Sequence, residues 1–284
     1  MESSLAAPAT TTLASDPRWR GSIEGKPRPA WIRWLRDRFP QRIPQGRVVE
    51  VGWSLRDTKA GLIWDAPRPV LTKAPRPGHA KAVSNCPAMI DHESRLIEVL
   101  CPIDAQIRFQ RDAQGRPNLG NALGDSSPIR SKHLGQMVTL VNEREWRHPQ
   151  RPILQVVTPY FFLADEPVWL TQLPPFHVYQ GDPWPGVMIG GRYPIDVWPR
   201  TLMWAFEWHD PTKDLELKRG NPWFTVRFET MDPSRKIRLI KARLTPALDA
   251  YLRELEGVTN YVRGTFGLFE AARSRRPKKL LERE

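Results

Sequence analysis

His177, Asp182 and His209 are the side chains in this sequence best suited to hold a metal. Two imidazoles and one carboxylate on one side of an ion leave coordination positions open, the arrangement that binds non-haem Fe(II) in oxygenases. The compact His-x-Asp/Glu spacing of cupin-type barrels is missing here. Gly181 forms a turn between His177 and Asp182, and His209-Asp210-Pro211 reads as a turn between two strands. A cupin-like metal oxygenase using Fe(II) is therefore the alternative reading. The bland one makes these three residues loop histidines and a turn aspartate.

A second group pairs indoles with guanidinium groups: Trp184, Arg192, Trp198 and Arg200. An exposed Trp beside an Arg can stack on a sugar, a base or a peptide while the Arg pairs with an anion. Asp182-Pro183-Trp184-Pro185-Gly186 sets Trp184 in a turn, where its ring is expected to face solvent. The ligands that fit are an anionic ligand, a carbohydrate or a protein partner.

Other chemistries lack their residues. No G-x-S-x-G elbow is present. Cys86 and His92 are close only in sequence, which makes no dyad. Asp165-Glu166 is followed by Pro167 and reads as a solvated turn. Gly190-Gly191-Arg192 lacks the G-x-G-x-x-G or P-loop frame of a phosphate cradle. The two cysteines, Cys86 and Cys101, give neither a zinc signature nor a disulfide framework and are expected as thiols.

Short strands must position these groups. Period-two patterns cover Val48–Trp53, Leu96–Cys101, Ala105–Phe109, Val138–Val141, Ile153–Val157 and Val168–Leu170. They resume at Gly186–Ile189, Thr201–Trp208, Leu215–Leu217 and Trp223–Phe228. In Thr201–Trp208 one face carries Leu202, Trp204, Phe206 and Trp208, and the other carries Met203, Ala205 and Glu207. The strands flanking Pro102 read as a pair. Gln110–Lys132, with its glycines and prolines, reads as a long surface loop, and Lys59–Lys81 as a Pro-rich one.

The ends differ from the middle. Near the N-terminus Trp31, Trp34 and Leu35 make a stripe on a short amphipathic helix that Pro40 stops. Near the C-terminus Thr245-Pro246 is a cap with proline in the first turn, and Leu248, Tyr251, Leu252 and Leu255 follow at helical spacing. A second helical segment spans Val258–Arg273 with Tyr261, Phe266 and Phe269. The run Arg273-Ser274-Arg275-Arg276-Pro277-Lys278-Lys279 then reads as a solvated basic tail.

Composition agrees with a globular β protein. Of 284 residues, 40% are hydrophobic and 26% charged, enough to build a core. The 29 prolines, about double the usual share of roughly 5%, disfavour long helices. The net charge of +12 favours anionic partners, nucleic acid among them through the basic termini, although no nucleic-acid-binding motif accompanies it. No transmembrane segment or secretory signal is apparent, so a cytoplasmic protein is expected.

Cys86-Pro87-Ala88-Met89-Ile90-Asp91, followed by Pro102-Ile103-Asp104, resembles a pattern in a β-rich family found in tailed phages, including cyanophages, and in proteobacteria. Val157-Thr158-Pro159-Tyr160 resembles one strand of that family. Leu202-Met203-Trp204-Ala205-Phe206 with Lys218-Arg219-Gly220-Asn221-Pro222-Trp223 resembles its closing unit. The resemblance covers about Ser84 to Glu229. It implies a β-rich fold and, for a phage-encoded chain, association with the virion; it implies no activity.

Three segments are expected: an N-terminal arm over 1–46, a β domain over 47–243, and a helical segment with a basic tail over 244–284. The β domain is expected as an antiparallel sandwich or a jelly-roll or cupin-like barrel. The leading functional expectation is a binding or structural protein engaging an anionic or carbohydrate partner. The metal oxygenase and a nucleic-acid-binding accessory protein stand as alternatives.

Overall fold

Backbone pairing follows the alternation of side chains through most of the chain. The computed structural model describes residues 48–58, 61–70, 85–176, 183–258 and 264–284. The expected N-terminal arm lies outside them, as do His177, Asp182, Tyr261 and much of the Pro-rich loop. The first strands are β1 (Val49–Leu55), β2 (Arg68–Pro69), β3 (Leu96–Leu100), β4 (Ala105–Arg111), β5 (Pro117–Asn121), β6 (Val138–Leu140) and β7 (Ile153–Leu163). They continue as β8 (Val168–Leu173), β9 (Gly186–Ile189), β10 (Gly191–Pro194), β11 (Thr201–Trp208), β12 (Leu215–Leu217), β13 (Pro222–Thr230) and β14 (Ile237–Lys241). The α-helices are α1 (Pro87–Ser94), α2 (Ser131–Met137), α3 (Pro246–Val258) and α4 (Thr265–Arg275).

The fold is mainly β, with helices at its C-terminal end. One sheet has the order β14-β1-β7-β11-β9, with β6 beside the first half of β7. A second has the order β10-β8-β13-β3-β2, and a small third sheet the order β12-β4-β5. Among these strands only β1 and β14 pair in parallel. The two larger sheets share one core. Leu202, Trp204 and Phe206 come from the first, and Leu170, Trp223 and Val226 from the second. This layering fits a sandwich, and the strands do not close into a cupin-type barrel.

Aromatic rings fill the interior. Trp204 stacks on Phe206 with centroids 5.6 Å apart and tilts against Trp223 at 5.4 Å. At roughly 25 cal/mol per Å² and about 150–250 Å² per ring, each such residue contributes about 4–6 kcal/mol of gross burial energy.

β7 is buried on both faces. Tyr160 and Phe162 enter the sandwich core, while Phe161 and Leu163 enter a second cluster. Two covered faces explain an apolar run that continues past Val157, where the period-two pattern ends. Pro159 sits inside β7 because the ladder is interrupted there. Thr158, Pro159 and Tyr160 stand opposite Leu202 alone, and on the other side the Pro159 carbonyl accepts the Arg56 N–H just past the end of β1, so the missing N–H falls beyond the paired strands. The Thr158 hydroxyl bridges the gap, donating to the Leu202 carbonyl at 2.9 Å.

Local expectations fail in three places. β3 and β4 flank Pro102 but belong to different sheets. The expected loop 110–132 holds a hairpin of β4 with β5, where Arg111 pairs with Pro117. The Asp112 carboxylate accepts the Gln114 and Arg116 N–H groups, and Gly115 supplies the positive φ of 76° the turn needs. Cys86-Pro87, in a stretch for which no helix is expected, opens α1 with proline in its first turn.

The second cluster joins the C-terminal helices to the sheet. The Thr245 hydroxyl caps α3 by accepting the Leu248 N–H at 3.2 Å, and the whole Leu248, Tyr251, Leu252, Leu255 stripe is buried. Trp198 meets Phe269 of α4 edge-on at 6.0 Å. The basic tail is exposed at Arg273, Arg275, Lys278 and Lys279 but docked through Arg276. Arg276 donates to the carbonyls of Asp196, Ala164 and Asp165, and Leu280 and Leu281 are buried. Both cysteines are free thiols, Cys86 exposed and Cys101 buried. No helix among the described residues is long and apolar enough to cross a membrane.

Candidate functional site

Among the described residues, those singled out by sequence do not form one site. Trp184 is not an open platform. Its indole N–H donates to the Glu216 carbonyl at 3.0 Å, and its ring packs edge-on against Trp204 and Phe206. Prolines on both sides fold this turn back onto the core. Arg192, on β10, lies over the Trp169 ring at 5.2 Å and pairs with Glu229 at 2.9 Å. Trp198 is buried in the second cluster and offers no open stacking platform. Arg200 is exposed at the mouth of a hollow of about 290 Å³ beside it.

His209 belongs to a different place, a basic cleft of about 610 Å³. Phe109 and Arg111 at the end of β4, Trp146, His148 and Arg151 before β7, and His209 after β11 line it. Each is fixed locally. The Trp146 indole donates to the Val141 carbonyl at 2.9 Å. The Asn142 side chain caps the short turn Glu143–Glu145 by accepting the Arg144 N–H at 3.0 Å. Arg111 lies 5.9 Å from the centroids of both Phe109 and Trp146 and donates to Glu143 at 2.5 Å. His148 Nδ1 accepts the Gln150 N–H at 3.1 Å, which leaves Nε2 as the donor of the neutral ring. The His209 N–H donates to the Pro185 carbonyl and ends β11.

Glu207 organises this cleft. It lies on the β11 face opposite the indoles, yet it is only 2% exposed. Arg147 Nε donates to its Oε2 at 2.5 Å. His209 Nε2 stands 3.3 Å and Arg151 Nη1 3.7 Å from its Oε1. Burial pushes the Glu207 carboxyl up, but the Arg147 guanidinium, with His209 and Arg151, outweighs burial and holds it below the usual carboxylate range. A carboxylate held this way keeps its charge and is a poor proton carrier. The cations around it face water: Arg147 is 60% exposed and Arg151 46%. A guanidinium has five N–H donors, and one carboxylate cannot occupy those of both. Donors on these exposed side chains are left over beyond those Glu207 takes.

A metal at His209 would meet the Arg147 and Arg151 guanidinium groups across Glu207. Among the described residues no three His, Cys, Asp or Glu side chains come together to hold an ion; His177 and Asp182 lie outside those residues. Another cavity, about 690 Å³ with Trp53, Arg95 and Arg227 in its walls, compensates much of its own charge. Arg95 pairs with Asp91, Arg235 with Glu166, and Arg227 with Glu229.

Sequence reasoning found His209 but missed the rest of the cleft. The signal was Trp146-Arg147-His148-Pro149-Gln150-Arg151, an aromatic and cationic run directly before an apolar strand. Comparison with protein-family models, curated proteins and solved structures gives no match.

Proposed function

We propose that this protein is a binding protein whose basic cleft holds an anionic carbohydrate, a chain bearing sulfate, phosphate or carboxylate groups. The observation that carries the reading is the sharing of one buried carboxylate, Glu207, by Arg147, Arg151 and His209, which leaves a surplus of N–H donors on exposed side chains. Binding is favoured over catalysis because the carboxylate of the site is committed to a guanidinium. Carbohydrate is favoured over single-stranded nucleic acid because base stacking needs open ring faces. Here Trp146 is buried, and Arg111 lies against both aromatic rings of the cleft. The resemblance over 84–229 supplies the setting attached to this reading, a phage particle or a bacterial cytoplasm.

Titration calorimetry with a sulfated glucosamine–uronate hexasaccharide, a neutral glucose hexasaccharide and a thymidine hexanucleotide tests it. The sulfated chain binds, the neutral chain does not, and Arg151→Ala weakens binding about tenfold, one lost charge-assisted contact. Absence of binding to the sulfated chain, or an unchanged affinity in Arg151→Ala, overturns the proposal. Equal or tighter binding of the oligonucleotide moves the site to nucleic acid.

A further inference from the structure

The hollow beside Arg200 is separate from the basic cleft and has the opposite character. Its floor is apolar: Phe161, Trp198, Leu252 and Leu255 are all buried. Met203, exposed on the outer face of β11, and Arg200 stand at its edge. Trp198 of the floor and the cation come from one stiff segment, since Pro199 lies between Trp198 and Arg200 and the Trp198 N–H is tied to the Pro194 carbonyl.

The two arginines that line this hollow differ. Arg56 is buried and already surrounded by carboxylates, with Glu256 at 2.5 Å, Asp249 at 3.2 Å and Asp57 at 3.6 Å. Arg200 has no carboxylate partner among the described residues; its polar contact is the Met203 sulfur at 3.7 Å. The buried Tyr193 hydroxyl, also without a hydrogen-bond partner among the described residues, is close enough for the Arg200 charge to act on it. An uncompensated cation beside an apolar floor is complementary to an anion that carries an apolar body.

We infer that this hollow binds a small organic monocarboxylate, its short aliphatic or single-ring body on Phe161, Trp198 and Leu252 and its carboxylate on Arg200. The size supports a small molecule: about 290 Å³ is at the lower end of ligand cavities, which run roughly 300–1,000 Å³. A long-chain lipid would not fit inside. The single available cation selects one negative charge, so a highly charged polymer belongs to the basic cleft instead.

Protein labelled with ¹³C at the methionine methyl groups is titrated with 3-phenylpropionate and, separately, with 3-phenylpropionamide. The Met203 resonance is assigned by its loss in Met203→Leu. The carboxylate shifts this resonance saturably and binds about tenfold more tightly than the amide, the scale of one charge-assisted contact. Arg200→Ala, at an exposed residue with no ion pair to lose, keeps the wild-type Tm and removes that preference, while Arg200→Lys restores part of it. The inference is overturned if acid and amide bind equally, if Arg200→Ala binds the acid as wild type does, or if the acid shifts nothing. It is also overturned if a tripeptide ending in a free Phe carboxylate binds about tenfold more tightly than phenylpropionate, because the site would then read a chain terminus.

Discussion

Replacing Arg147 with methionine keeps an unbranched apolar stem and removes the guanidinium that grips Glu207. The carboxylate stays at 2% exposure, with His209 at 3.3 Å and Arg151 at 3.7 Å as its remaining partners. A hydrogen bond to a charged group contributes about 1.5–3 kcal/mol, and the exposure of Arg147 puts this one near the lower part of that range, about 2 kcal/mol. Glu207→Gln removes the buried charge and lets exposed guanidinium groups rehydrate, so it costs less, about 1 kcal/mol. In the double variant the stranded charge is gone, and a loss of about 1.5 kcal/mol leaves a coupling of about 1.5 kcal/mol. At about 2–4 °C per kcal/mol for chains of this size, Arg147→Met lowers Tm by about 4–8 °C. Urea unfolding of wild type, both single variants and the double variant measures the cycle. The pH dependence follows from the direction of the Glu207 shift. Its carboxyl is held low in the fold, so its contribution is present above the ordinary carboxylate range and is lost as pH falls through the folded value. The gap between wild type and Arg147→Met therefore closes on acidification. A coupling below about 0.5 kcal/mol, or a gap independent of pH, would refute the assignment of Glu207 as the organiser of the cleft.

Three further outcomes are expected. A Cβ at Gly186 would lie 2.0 Å from the Glu207 carbonyl oxygen, so Gly186→Ala must part β9 from β11 and costs about 3 kcal/mol or more in urea unfolding. Burial pushes the Cys101 thiol up to about 12 while Cys86 is exposed, so a thiol reagent at neutral pH labels one cysteine quickly and the second only on unfolding. Arg276→Ala strips the donors from three backbone carbonyls and costs about 2 kcal/mol, and hydrogen exchange at Leu280 and Leu281 rises because the tail loses its anchor.

The parts legible in the sequence were those whose signal is local. Thr201–Trp208 alternates without interruption, and the strand occupies those residues. Thr245-Pro246 and the Leu248, Tyr251, Leu252, Leu255 stripe announce α3 because capping and period 3.6 are both short-range. β14 was hidden because Arg238 and Lys241 interrupt its apolar residues, and its partner β1 lies almost two hundred residues away. The exposure expected for Trp184 failed for a similar reason: what covers its ring comes from Trp204 and Phe206, which no turn rule includes. Glu207 looked like an ordinary polar-face residue. Its cationic partners are Arg147 and Arg151, some sixty residues upstream and outside any strand or helix pattern.

The most direct measurement is a crystal structure of the protein with the sulfated hexasaccharide bound. The account predicts sulfate or carboxylate oxygens within hydrogen-bond distance of Arg151, His148 or His209, with the Glu207–Arg147 pair intact beneath them. A sugar seated elsewhere on the molecule, with this cleft open to solvent, would contradict it.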